Sequence, residues 1–202
     1  MISSNHDPLT IWFFDLYFRL RMFFQFRGME IHGEVPAAGK PVLLLQNHFS
    51  WWDGYWSFYL SRHIFKRKFH VMMLEEQLRR RMFINRCGAF SVRKDSRELI
   101  ESLNYAVALL DDPTNLVCLY PQGQIQSQHQ TPVTFERGAS WILKRSKVDI
   151  QVCFCVCLVD YFSRAKPVVR FYLKSYEGAK TSAALATAYN EFRHQCITKQ
   201  DE

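Results

Sequence analysis

Pro41-Val42-Leu43-Leu44-Leu45-Gln46 runs without a break into Asn47-His48-Phe49-Ser50-Trp51-Trp52-Asp53. The first half is a short, continuous apolar run with no alternation. That pattern suits a strand covered on both faces, as in a parallel sheet with helices on either side. A parallel strand must be followed by a crossover, and the chain around this stretch supplies one. Strands are predicted at residues 29–32, 41–46, 69–73, 89–92, 116–120, 150–159 and 168–173. Helices are predicted at 10–27, 53–65, 95–110, 134–145 and 181–196, with 75–85 helical or irregular. Strands interleaved with helices give one α/β layered domain, a mostly parallel central sheet flanked by helices.

The N-terminal helix stands apart. Asp7 or Thr10 is placed to cap it, with Pro8 in its first turn. At 100° per residue, Trp12, Phe13, Leu16, Tyr17, Leu20, Phe23 and Phe24 share one arc. Asp15, Arg19, Arg21 and Gln25 fall opposite, with Phe14, Phe18, Met22 and Phe26 among them, and Asp15 with Arg19 forms an i,i+4 pair. Aromatics on both arcs exceed what a soluble domain leaves bare, so residues 1–28 are expected to be an amphipathic helix in a membrane interface and 29–202 the α/β domain. A core-packing first helix is the competing reading.

The chain has 202 residues, enough to bury a full core. Its 26 basic against 19 acidic side chains give a net charge of +7. Such a surface attracts nucleic acid, acidic headgroups, phosphorylated cofactors or acidic carrier proteins, and charge alone does not choose among them. The aromatics crowd one helix and do not interleave with Lys and Arg, which argues against a nucleic-acid module. Cys153, Cys155 and Cys157 alternate and share one strand face as small buried hydrophobes. Their spacing is not that of a metal site or a secreted disulfide framework. No signal peptide and no spanning run of 18 uncharged apolar residues is visible. A peripheral place on the cytoplasmic face of a membrane is therefore expected.

His48 and Asp53 are five positions apart, which is 140° off the same face of a regular helix. They meet if His48 ends the strand and Asp53 opens the next helix, at the strand end where α/β sites collect. A carboxylate on one ring nitrogen fixes the tautomer and leaves the other nitrogen free to take a hydroxyl proton. No Gly-x-Ser-x-Gly elbow is present, which argues against a covalent acyl-enzyme.

Four blocks in order make the chain similar to the glycerolipid and lysophospholipid acyltransferases, typified by 1-acylglycerol-3-phosphate acyltransferase. The stretch from Asn47 to Asp53 resembles their Asn-His-x-Ser-x-x-Asp. Gly88-Ala89-Phe90-Ser91-Val92-Arg93 resembles Gly-x-Phe-x-x-Arg, and Tyr120-Pro121-Gln122-Gly123-Gln124-Ile125 resembles aromatic-Pro-Glu-Gly-Thr-Arg. Phe135-Glu136-Arg137-Gly138-Ala139 follows, and the fourth block survives only as the apolar strand 150–159. The resemblance implies that His48 is the base and Asp53 its partner, with Asn47, Ser50, Arg93, Gln122, Gly123, Gln124 and Arg137 around the substrate. It also implies a lyso-lipid acceptor among membrane lipids and a thioester donor, acyl-CoA or acyl-carrier protein, with no bound cofactor or metal. Arg137 and the basic cluster 66–68 are candidates for the donor's phosphates or carrier surface, or a solvated basic face.

The departures concern the acceptor. Gln122 stands where the family has Glu, and Gln124 and Ile125 stand where it has Thr or Ser and Arg. Losing one charge-assisted contact weakens phosphate binding by roughly 1.5–3 kcal/mol. The expected acceptor therefore carries a headgroup other than that of lysophosphatidate, such as an amino-acyl or glycosylated lipid. A silent lipid- or partner-binding homologue and a hydrolase using the same base remain as alternatives.

Overall fold

The computed structural model describes residues 1–93 and 96–200. The central apolar run becomes β2 (Val42–Gln46), buried along its whole length. It lies in the middle of a seven-stranded sheet of order β1-β7-β6-β2-β5-β3-β4. Its companions are β1 (Gly28–Gly33), β3 (Lys68–Leu74), β4 (Ala89–Val92), β5 (Asn115–Leu119), β6 (Gln151–Asp160) and β7 (Val168–Tyr176). Strands β2 to β6 run parallel. β7 turns back antiparallel to β6, and β1 follows β7 at the sheet edge. After β2 the chain builds one side of the sheet and then crosses to the other for β6. β2 therefore sits at the change of direction, where a crevice opens beyond the strand ends.

Helices cover both faces. On one lie α1 (Pro8–Gln25), α2 (Asp53–Tyr59), α3 (Glu75–Arg79) and α4 (Met82–Arg86). Val42, Leu44, Cys118, Cys153, Cys155 and Cys157 pack there with Trp56, Phe58 and Leu60. On the other lie α5 (Ser96–Leu109), α6 (Gly138–Arg145) and α7 (Ser182–Thr198), where Leu43, Leu45, Phe154 and Val156 meet Leu103, Ile142 and Tyr189. The three alternating cysteines thus share a buried face. Asp95, the expected cap of α5, lies outside the described residues.

The first helix settles which of its arcs meets the domain. Asp7 caps it, its Oδ2 accepting from Thr10 N at 2.8 Å. The mixed arc faces inward: Phe14 stacks on Phe83 at 4.3 Å, Phe18 on Tyr55 at 4.6 Å, and Met22 Sδ accepts from Trp56 Nε1 at 3.3 Å. The apolar arc points away, with Trp12 65%, Phe23 74% and Phe24 66% exposed. The expected Asp15–Arg19 pair is not the one that forms. Asp15 Oδ1 instead accepts from His63 Nε2 at 2.8 Å, because Asp15 lies on the domain side. Residues 1–7 form a strap that the sequence did not signal. It is laid along β4 and α4, with Ser91 N donating to Ile2 O at 2.8 Å and Asp7 N to Arg86 O at 2.9 Å.

Two helices differ from expectation. The one predicted over 53–65 ends at Tyr59 and widens into a π-helical turn, Leu60–Ile64, closed by Phe65 N donating to Leu60 O at 2.9 Å. The one predicted from 134 begins at Gly138. Residues 133–136 are held in a loop, with Asn190 bonding both backbone groups of Val133 and Glu136 N donating to Pro121 O. Among the described residues no helix is long and apolar enough to cross a membrane.

Candidate functional site

β2 delivers its last residues into the crevice. Asn47 ties that end down: its Nδ2 donates to Cys157 O and its Oδ1 accepts from Cys157 N, both at 2.8 Å. Tyr189 OH accepts from Asn47 N at 2.9 Å. These bonds cross from β2 to β6 and α7 and leave Asn47 2% exposed. Its place here is structural; the sequence comparison had put it beside the substrate.

His48 follows. The chain then turns so that Asp53, the first residue of α2, faces back across five positions. Asp53 Oδ2 accepts from His48 Nδ1 at 2.7 Å, from Phe49 N at 2.7 Å and from Ser50 N at 2.8 Å. One carboxylate oxygen thus organises the whole turn, and a residue with no acceptor there would let it open. Asp53 is fully buried while the His48 side chain is 22% exposed. Burial pushes the Asp53 carboxyl up from its ordinary range, and the bonds from His48 and from the two backbone amides oppose that rise. With Nδ1 engaged by the carboxylate, Nε2 is left without a protein hydrogen-bond partner among the described residues. Ser50 Oγ accepts from Trp52 N at 3.1 Å, so the hydroxyl also serves the turn.

The third block closes over the base. Gln122 Oε1 accepts from His48 N at 2.6 Å, and Gln126 N donates to His48 O at 2.9 Å. Gln122 Nε2 also reaches Gln126 Oε1 at 3.2 Å. Gly123 adopts φ +64° in the following turn, a conformation suited to glycine, with the Glu136 side chain over it. Gln124 and Ile125 are exposed on the loop. Arg137 is exposed just before α6, at the same end of the sheet.

Arg93 is not brought to His48. It directly follows β4, three strands from β2, roughly 14 Å across the sheet at about 4.8 Å per strand. Its guanidinium is engaged, NH2 donating to Glu75 Oε1 and NH1 to Glu98 Oε1, each at 2.7 Å. The pairing with Arg93 and then Arg79 holds the Glu75 carboxyl down at about 2.

Sequence reasoning gave no role to Tyr120, although it quoted the residue. The ring stacks on His48 with centroids 4.2 Å apart and planes 18° from parallel. Its hydroxyl lies 2.9 Å from Ser57 Oγ, which is itself 3.0 Å from Gln46 Oε1. The signal was present as the aromatic that opens the third block, but stacking cannot be read from one chain position. Gln128 was likewise missed. Its side chain bonds both backbone groups of Val159, fixing the glutamine-rich loop to the end of β6.

Beside Phe49 and Ser50 opens a groove of about 870 Å³, walled by Phe26, Trp52, Trp56 and Val159 with Gln128 and Asp160 at its polar side. Its size lies in the range of small-molecule sites. Among the described residues, Asp160 is the only Asp, Glu, Lys or Arg lining it.

The arrangement is a histidine hydrogen-bonded to a buried carboxylate at a strand end, next to a groove with an aromatic wall and a polar side. A family model described as acyltransferase matches residues 28–156. The chain belongs to this family, the glycerolipid acyltransferases, and His48, Asp53 and the blocks at 88–93 and 120–125 fall within the match. A search among curated proteins gives no significant match.

Proposed function

We propose that the protein transfers a fatty acyl group from an acyl thioester to a hydroxyl of a lyso-lipid-type acceptor at a membrane surface. The single observation that carries this reading is the 2.7 Å bond between His48 Nδ1 and the buried Asp53 carboxylate. His48 Nε2 takes the proton of the acceptor hydroxyl as that oxygen attacks the thioester carbonyl. The tetrahedral intermediate then collapses, the C–S bond breaks, and the proton passes from the imidazolium to the leaving thiolate. Asp53 stabilises the transient imidazolium and holds the ring in place. General-base assistance of this kind contributes about 10²–10⁴-fold. No covalent acyl-enzyme is needed.

The apolar side of the groove, Phe26, Phe49, Trp52 and Trp56, suits an acyl chain. The acceptor is a lipid other than lysophosphatidate. Among the described residues no Lys or Arg lines the groove, Ile125 occupies the third-block arginine position, and Arg93 is committed to two carboxylates. Donor and acceptor meet on the cytoplasmic face of the membrane, where the exposed arc of α1 lies in the interface. Arg137, at the catalytic end of the sheet, faces the phosphates of coenzyme A or the acidic surface of an acyl carrier protein.

The test is transfer of labelled acyl chains from either donor to a panel of lyso-lipids by wild type and His48→Ala. Turnover by wild type alone is expected. Equal inactivity of both on every pair would favour a silent lipid-binding homologue, and donor consumption without acceptor would mark a hydrolase. Lysophosphatidate used as fast as any other acceptor would overturn the headgroup assignment.

A further inference from the structure

Arg62, Lys66, Arg67 and Lys68 fall within seven residues at the reversal after α2. In the fold all four line one cavity of about 430 Å³, with Ile11, Phe58 and Phe69 as its apolar wall. The π-helical turn and a left-handed residue, Lys66 at φ 53°, fan consecutive cations around one hollow. Arg67 N donates to Ser61 O at 2.8 Å and locks the reversal. The Arg62 guanidinium lies over the Phe58 ring at 5.5 Å, and Arg67 is held by the carbonyls of Ala37 and Pro113. Among the described residues none of the four forms an ion pair with a carboxylate. His6 borders the same hollow; burial, joined by the charges of Lys68 and Arg62, keeps its ring below the ordinary histidine range.

Four cations around an open hollow, with Asp112 near Lys68 but none of the four in a close ion pair among the described residues, favour an anion there. Its position says which one. The cluster sits where β3 begins, level with Asn115 at the start of β5, whereas His48 follows the far end of β2. Seven residues of strand separate the two levels, roughly 20 Å. In a lyso-glycerolipid the reacting hydroxyl is only a few bonds from the phosphate, so an acceptor poised at His48 cannot place its phosphate here. α1 also packs on α2 between the two hollows, through Phe18 on Tyr55 and Met22 on Trp56. The cavity rim instead continues onto α1. Ile11 forms part of its wall, and the next residues, Trp12 and Phe13, belong to the exposed apolar arc.

We propose that this cavity binds the headgroup phosphate of an anionic membrane phospholipid that is neither donor nor acceptor. It thereby fixes how the α1 face sits on the bilayer. The proposal rests on the membrane-surface reading above. Cations beside an interfacial apolar helix act in this way, each contributing about fivefold in partitioning.

The experiment is co-sedimentation with phosphatidylcholine vesicles, plain or doped with phosphatidylglycerol. It compares wild type, Lys66→Gly and Arg62→Ala/Lys66→Ala/Lys68→Ala. Wild type should prefer doped vesicles, Lys66→Gly should lose about fivefold and the triple variant about a hundredfold, with binding to plain vesicles unchanged. Lys66→Gly also relieves a left-handed residue, so its loss of binding with an undiminished melting temperature excludes misfolding. Acyl transfer to detergent-dispersed acceptor should match wild type in both variants. Variants that bind doped vesicles as wild type does would overturn the site and leave the membrane reading standing. Wild type that binds neither vesicle would overturn both. Release of bound wild type by free coenzyme A or inorganic phosphate would assign the cavity to a soluble anion and overturn the lipid.

Discussion

Replacing Asp53 by Asn changes the charge of the dyad while nearly preserving its shape. Oδ2 is the oxygen that matters, accepting from His48 Nδ1, Phe49 N and Ser50 N. Oδ1 is buried and has no hydrogen-bond partner among the described residues. Asn therefore settles with its oxygen at the Oδ2 position and its amide nitrogen in the unpartnered pocket, since the reverse would set N–H against three donors. The turn and the histidine tautomer survive, but the imidazolium formed during transfer loses a facing charge. A charge-assisted bond exceeds its neutral counterpart by roughly 1.5 kcal/mol, and leaving the amide N–H buried and unpaired costs about 1–3 kcal/mol in stability. The expected outcome is a kcat lower by about tenfold or somewhat more, with KM little changed and a reduced melting temperature. Thiol release from an acyl thioester, followed with an accepted lyso-lipid, measures it. Because the two residues act as a unit, His48→Ala/Asp53→Asn should be no slower than His48→Ala. Wild-type kcat in Asp53→Asn, or full additivity in the double variant, would refute the reasoning.

Asn47→Ala leaves both backbone groups of Cys157 without their partner, and should cost about 2–4 kcal/mol in a denaturant melt. Ile125→Arg places a cation on the exposed third-block loop and should lower KM for lysophosphatidate by roughly ten- to a hundredfold, read in the transfer assay across acceptors. His70 is buried beneath the N-terminal strap, its Nδ1 3.1 Å from Ser4 Oγ, and burial lowers its ring to about 4. With the folded value below the unfolded 6.5, stability is full above that pH and declines as pH falls toward about 4, because the unfolded chain takes the proton first. The loss should reach about 3 kcal/mol, and His70→Gln should flatten that limb of the pH–stability curve.

Much of this was legible because it is written in local chemistry. The run from Val42 to Leu45 has no polar residue to turn toward water, so it had to be covered on both faces. Pro8 in the first turn, with Asp7 or Thr10 as cap, marked a helix start, and the structure settles the cap as Asp7. His48 and Asp53 were paired from their place after a buried strand. What stayed hidden depends on partners far along the chain. The π-helical turn after Tyr59 has no residue signature. Asn190 pins the backbone of Val133 in the loop before the helix predicted from 134, which begins only at Gly138. Arg93 looks like a free cation in sequence, yet Glu75, 18 residues earlier, claims it. The antiparallel return of β7 likewise depends on tertiary pairing that the alternation of strands and helices does not encode.

The central claim is that His48 is the base of a lipid acyl transfer, and its most direct test is made in the cell. Lipid extracts from a strain lacking the protein should be compared with extracts after complementation by wild type or by His48→Ala. The account predicts that one acylated lipid disappears while its lyso precursor accumulates, and that only wild type restores it. An unchanged lipid profile, or restoration by His48→Ala as complete as by wild type, would contradict it.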